Sequence, residues 1–360
     1  MFRLYALAAL LACSILAAQD SRETILAASR SGIVELIDPA TLATVARMHF
    51  RAGPVGLNGI SASRDGSSLY VEGPIPGDPK ACCVLYSVEL ATLQVKLAAS
   101  IPGSRSRNSL VISDGLVYDA ATIMRNEMPK EMSNERLHLS PDGRWLFGVK
   151  SFQGPALDLY DIGRRQVVRR LTAEGLKGDW WPSGAWSGNR FYLYANDADG
   201  TGRLWAVSPE STQLGPGETI APFGSVSGCS NPSPRGIAAS GGALFIYEEF
   251  GFKVDRRNSC KEPVPGGAWM IDPAKGTQAR QIAPTRHFSV LFTNLARSEL
   301  HGLNIESPNW DVPAELVRMD PRDGRILQTR HLDRGFWRVA MAPLRVVPSG
   351  DLHPNGFIGF

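Results

Sequence analysis

The chain has 360 residues, 43% of them hydrophobic and 20% charged, with 38 Lys and Arg against 35 Asp and Glu. This balance excludes a disordered chain, and a net charge of +3 without a basic run argues against a nucleic-acid partner. Thirty-six Gly and 25 Pro are too many for a helical protein and ordinary for one built from turns.

The first eighteen residues read as a processing segment. Arg3 supplies the positive end, Leu4 to Ala18 are apolar apart from Ser14, and Ala17-Ala18-Gln19 is a small-residue cleavage site. A run of fifteen residues falls short of a membrane span, which needs about 20. The expectation is a signal peptide over 1–18 and an exported mature chain, periplasmic or secreted, with no transmembrane segment. Leu10-Leu11-Ala12-Cys13 offers a rival lipoprotein reading with Cys13 lipidated, against which the apolar run continues through Ile15 to Ala18.

Thr24 to Phe50 gives three strands, one short of a four-stranded blade. Leu57 to Gly73 and Val84 to Ala99 give the next unit. Ser109 to Ala120 holds a short pair joined at Asp114-Gly115, and Ala121 to Asn134 is polar and Met-rich with no clean alternation. The clearest unit runs from Arg136 to Leu171. Its turns fall at Ser140-Pro141-Asp142-Gly143, Gln153-Gly154-Pro155 and Ile162-Gly163-Arg164, and they separate four strand-length apolar runs. Four antiparallel strands in about forty residues make one propeller blade. Further units follow from Ser183 to Phe223, from Arg235 to Ile282 and from Phe288 to Leu332. Trp337 to Ala342 is a last strand with no successors, and it is the one that the N-terminal blade lacks.

The chain is therefore expected to be all-β, a seven-bladed β-propeller over residues 19–345. Its ring closes where the C-terminal strand joins the N-terminal blade, and residues 346–360 form a tail. If residues 107–134 make no blade of their own, the count is six.

Leu36-Ile37-Asp38-Pro39, Leu159-Tyr160-Asp161, Met270-Ile271-Asp272-Pro273 and Met319-Asp320-Pro321 recur in the third strands, and Ser63-Arg64-Asp65-Gly66 matches Ser140 to Gly143. With these phrases the chain resembles the YVTN-type β-propellers, relatives of the WD-repeat and quinoprotein propellers. The resemblance implies the fold over residues 24–342. It implies no single activity, because such propellers include ligand binders, lactone hydrolases, dehydrogenase subunits and interaction scaffolds.

In a propeller, the linkers from one blade's outer strand to the next blade's inner strand share a face with the turns between second and third strands. Arg51, Arg107, Asn108, Arg136, Trp181, Arg235, His287, Trp337 and Arg338 fall in or beside those linkers, and His138 sits on an inner strand. Converging guanidinium groups hold carboxylate, phosphate or sulfate by paired hydrogen bonds. These residues are the candidate ligand-binding set at the channel mouth; the bland alternative is that they cap loops in water, and that His138 is structural. Cys229 and Cys260 fall in neighbouring loops of one blade and are expected to form a disulfide. Cys82 and Cys83 are adjacent, and a bridge between them would be strained; similar vicinal disulfides occur in quinone-dependent propeller dehydrogenases, but no other quinone signature is present.

No metal site, cofactor or catalytic residue is expected. The six His show no ligand spacing, Asn196 to Gly202 lacks the closing acidic residue of a calcium loop, and Gly184-Ala185-Trp186-Ser187-Gly188 does not match a nucleophile elbow. The functional expectation is an exported propeller that binds a protein partner or small anionic ligand on its linker-loop face. The alternative, implied by the family resemblance, is a lactonase-like metal-dependent hydrolase in the channel mouth, with His138, Asn108, Asn58 and Glu135 as the nearest ligands.

Overall fold

A computed structural model describes residues 22–50, 56–57, 59–63, 65–75, 78–99, 112–113, 116–117, 136–140, 142–150, 156–164, 166–173, 182–196, 202–220, 236–247, 267–286, 288–294, 296–305 and 313–355. These residues form strands and turns, with no helix among them. In chain order the strands are β1 (Arg22–Ser29), β2 (Ile33–Ile37) and β3 (Thr44–His49), then β4 (Gly59–Ala62), β5 (Ser68–Ile75), β6 (Asp78–Glu89) and β7 (Val95–Ala99). A short hairpin follows, β8 (Ile112–Ser113) and β9 (Leu116–Val117). Next come β10 (Arg136–Leu139), β11 (Trp145–Lys150), β12 (Ala156–Asp161) and β13 (Gln166–Thr172), and then β14 (Ser183–Ser187), β15 (Arg190–Asn196), β16 (Gly202–Val207) and β17 (Glu218–Ile220). The last two regular units are β18 (Gly236–Ser240), β19 (Ala243–Tyr247), β20 (Ala268–Ile271) and β21 (Ala279–Ile282), and β22 (Phe288–Thr293), β23 (Leu300–Ile305), β24 (Pro313–Met319) and β25 (Ile326–Arg334). β26 (Phe336–Leu344) and β27 (Gly350–Leu352) end the chain.

Five sheets are four-stranded antiparallel meanders, β4–β7, β10–β13, β14–β17, β18–β21 and β22–β25. The sixth is composite: β26 is its inner strand, paired with β1, then β2 and β3. We number it blade 1 and the others blades 2 to 6 in chain order. Eight residue pairs, from Arg22 opposite Leu344 to Ser29 opposite Phe336, join the two ends of the chain. The expected closure is therefore the observed one, and it leaves no free strand edge at the joint.

The described residues make six blades, the count that follows when residues 107–134 form no blade. The seventh blade of the first expectation is not borne out among them. β8 and β9 are two residues each, and β9 lies parallel to the inner edge of β26, with Leu116 opposite Met341.

The burial patterns follow position in the blade. β12, a third strand covered on both faces, is buried throughout, whereas the outermost β25 alternates between exposed and part-buried residues. Asp158 and Asp161 are the charged residues inside β12, and Asp158 is fully buried. It faces Arg170 across the β12–β13 ladder, which donates to both carboxylate oxygens at 2.6 and 2.8 Å. Apolar clusters fill the spaces between blades 1 and 2, 3 and 4, 4 and 5, 5 and 6, and 6 and 1.

Two kinds of turn repeat, and both were legible as phrases. Between first and second strands, Ser63 and Ser140 donate their hydroxyls to Asp65 and Asp142 at 2.6 and 2.5 Å, and the same oxygens accept the amides of Ser68 and Trp145. Those serine bonds hold both carboxyls below the usual range. Between third and fourth strands, Asp38 accepts the amides of Ala40 and Thr41, and Asp272 and Asp320 accept those of Ala274 and Arg322.

Candidate functional site

The described part of the linker-loop face gathers at the junction of blades 6, 1 and 2. Three segments meet there: the β25–β26 linker at Gly335, the β1–β2 turn at Arg30 to Gly32, and the linker into β4 at Gly56 and Leu57. The Arg30 amide donates to the Gly335 carbonyl at 3.1 Å, and the indole N–H of Trp337 donates to the Leu57 carbonyl at 3.0 Å. Gly56 has φ of +70°, and a Cβ there would lie 2.0 Å from the Arg30 carbonyl oxygen. Only glycine lets these two loops touch.

Adjacent residues on a regular strand point to opposite faces. At the start of β26 this rule is broken. The β1–β26 register pairs Ala28 with Arg338 and Ser29 with Phe336, so Trp337 is an extra residue, a β-bulge. The bulge brings two sequence neighbours together: the Arg338 guanidinium lies 4.3 Å from the centre of a Trp337 ring. Arg30, reaching over from the β1–β2 turn, lies 4.9 Å from a Trp337 ring. The result is one half-buried indole, tethered through its N–H, with two guanidinium groups over it. Stacking orients a guanidinium by its face and leaves its N–H edge in the plane, where a carboxylate or phosphate is recognised.

Sequence reading found Trp337 and Arg338 but missed Arg30. The signal was present, since Ser29-Arg30-Ser31-Gly32 is the turn between second and third strands of blade 1 and such turns share the linker face. His138 is buried and packs its ring 5.3 Å from that of Phe191 on β15, which places it between blades 3 and 4. Arg136 opens β10 opposite Val149. Arg51, Arg107, Asn108, Trp181, Arg235 and His287 lie outside the described residues, as do Cys229, Cys260 and the candidate lactonase ligands Asn58 and Glu135. Cys82 and Cys83 lie within β6, Cys82 opposite Pro74.

A second polar group lies in blade 6. Arg286, in the linker into β22, pairs with Glu315 on β24. Asn304 donates to the same carboxylate oxygen at 2.9 Å, and His331 Nδ1 lies 3.6 Å from the other. Arg286 thereby ties the linker to the blade.

No family model matches the chain, and no curated protein matches it either. Among solved structures, the dihydro-heme d1 dehydrogenase NirN in complex with DHE is 13% identical over 86% of this chain and 54% of that chain, with a TM-score of 0.36. Hydrazine synthase of Kuenenia stuttgartiensis is 14% identical over 65% of this chain and 53% of its own, at 0.38. A structure from work on two prolyl endopeptidases is 13% identical over 89% of this chain and 40% of its own, at 0.39. The chain thus spans about half the length of the first two, and likenesses this distant carry no activity across. The propeller fold stands on the chain's own sheet topology, and the YVTN-type family is not shown.

Proposed function

We propose that this protein is an exported β-propeller that binds an anionic ligand, a small carboxylate or phosphate or an acidic patch on a protein partner, on its linker-loop face. Arg30 and Arg338 are the groups that take the anion, and Trp337 is the platform that orients them. The observation carrying the reading is the bulge at Trp337. It spends a ladder position at the start of an inner strand to place an indole and two guanidinium groups together at a three-loop junction. Bulges are found where a side chain must be re-aimed or pairing must end. The export part rests on residues 1–18.

The test is calorimetric titration of the mature chain with citrate, sulfate and inorganic phosphate, beside the Arg30→Gln/Arg338→Gln double variant. At least one anion is expected to bind with millimolar affinity or better, to weaken as salt is raised, and to lose at least about tenfold in the double variant. Unchanged affinity in that variant, or no binding by any of the three, would overturn the anion-binding role of this junction.

A further inference from the structure

The described part of the tail after β26, residues 345–355, is tied to the blades. β27 adds to the outer edge of β3 in parallel, with Gly350, Asp351 and Leu352 opposite Ala46, Arg47 and Met48. Further on, the Asn355 amide donates to the Leu93 carbonyl at 2.7 Å and its carbonyl accepts the Val95 amide at 2.9 Å, so the tail also grips blade 2. Val347 and Leu352 pack on the apolar cluster between the two blades.

In this register Asp351 and the residue two further on, His353, share a face, as do Arg47 and His49 on β3. The two imidazoles accordingly stack, with ring centres 5.2 Å apart and planes 25° from parallel. Asp351 Oδ1 lies 3.6 Å from His49 Nε2. Two ligands bound to one zinc-like ion in a tetrahedron, with bonds of about 2.0–2.1 Å, stand about 3.4 Å apart. The His49–Asp351 pair, at 3.6 Å, is close to that spacing. Among the described residues no group of three His, Cys, Asp or Glu side chains is placed to hold a metal ion as it stands. His353, one residue past the last ladder pair of β27, must turn from its stacked position to complete the set. His49 and Asp351 are 37% and 75% exposed, leaving room for a water as fourth ligand. The neighbouring cation on this face, Arg47, is matched by Glu35 at 2.5 Å and Asp333 at 3.3 Å.

We propose that His49, Asp351 and His353 form a binding site for a divalent first-row transition ion of the zinc class, and that the ion clamps the C-terminal strap to blade 1. Imidazole nitrogens with one carboxylate suit such an ion and not calcium or magnesium, which take oxygen ligands. Two segments from opposite ends of the chain supply the ligands, so no sequence spacing announces the site.

The experiment titrates the mature chain, without a polyhistidine tag, with Co2+ as a spectroscopic probe and Zn2+ as competitor. One Co2+ per chain is expected, displaced by Zn2+, with affinity falling at least about tenfold in His49→Ala and in His353→Ala. Zinc is also expected to slow proteolysis within residues 345–355 in the parent and not in His353→Ala. Metal-free melting temperatures of the variants, close to the parent's, establish that both still fold. Absence of saturable binding would overturn the proposal, and so would binding that survives the His49→Ala/His353→Ala double variant, which would place the ion elsewhere.

Discussion

The ring joint buries a titratable side chain, His301. It is fully buried on β23, stacks on Phe292 with ring centres 5.5 Å apart, and its Nε2 lies 3.3 Å from the Pro39 carbonyl of blade 1. Burial pushes its pKa down to about 4, the bond to Pro39 opposes that shift, and Arg318 adds to it. The unfolded chain therefore takes up a proton near pH 6.5 that the native state refuses until about pH 4. Stability from this residue is complete at pH 7, falls as pH drops through that window, and levels off below it. The loss amounts to about 3 kcal/mol at most. Denaturant unfolding from pH 7 to pH 4 should show this slope in the parent and a flatter one in His301→Gln, which keeps a donor and cannot titrate. Parallel slopes would mean that other groups govern acid unfolding.

At the scale of elements, the turn between third and fourth strands is the most repeated device. The residue four places after its first acid has φ above zero in each of four blades: Leu42 at 54°, Leu93 at 57°, Gly276 at 110° and Gly324 at 74°. The amides of Leu42, Leu93 and Gly324 close the turn on the carbonyls of Asp38, Glu89 and Asp320 at 2.7–2.8 Å. Glycine takes this conformation without strain, while the two leucines accept it because their side chains pack into the neighbouring blade spaces. Gly324 has no such freedom to change, since a Cβ there would lie 2.4 Å from Ile282 Cδ1. Gly324→Ala should destabilise by about 1–3 kcal/mol, seen as a lower denaturant midpoint at unchanged slope. An unchanged midpoint would show that blades 5 and 6 can part at no cost.

Turn chemistry is also why the architecture could be read from sequence. Serine and aspartate at fixed offsets report their own local bonds, so strand boundaries in blades 3 to 6 emerge within a few residues. The blade count was less legible, because Leu110 to Ser113 and Leu116 to Ala120 look like strands of a separate unit, whereas the described residues there form the hairpin of β8 and β9, and β9 turns to β26. The candidate site was half legible for a related reason. Period-two reasoning sends Trp337 and Arg338 to opposite faces, and a bulge is invisible to it. Arg30 was passed over because it lies in a turn rather than a linker.

For the whole molecule, the decisive problem is closing the ring with strands from both ends of the chain. Three devices share it. The β1–β26 ladder supplies backbone pairing. Blade 6 then grips the β2–β3 turn: four successive carbonyls, Pro39, Ala40, Thr41 and Leu42, meet side chains of His301, Arg318, Gln328 and Arg330. Arg330 also pairs with Glu35, buried on β2 and held from the other side by Arg47 at 2.5 Å. This pairing raises the Arg47 pKa. The strap of residues 345–355 comes last, tying blade 1 to blade 2 at Arg345 with Gly66 and at Asn355 with Leu93. These devices are not equivalent. Ending the mature chain after Gly335 removes the inner strand of blade 1 and bares a full edge of β1, whose residues Ile25 to Ala28 are buried in the intact ring. Ending it after Leu344 keeps that ladder and removes only the strap. The shorter chain should fail to melt cooperatively and should elute as aggregate on gel filtration. The longer should remain a folded monomer with a melting temperature lowered by a few degrees. If the chain ending at Gly335 were a cooperative monomer, the ring would be held by the contact of blade 6 with the β2–β3 turn, and β26 would serve chiefly to carry Trp337 and Arg338 to the face where an anion meets them.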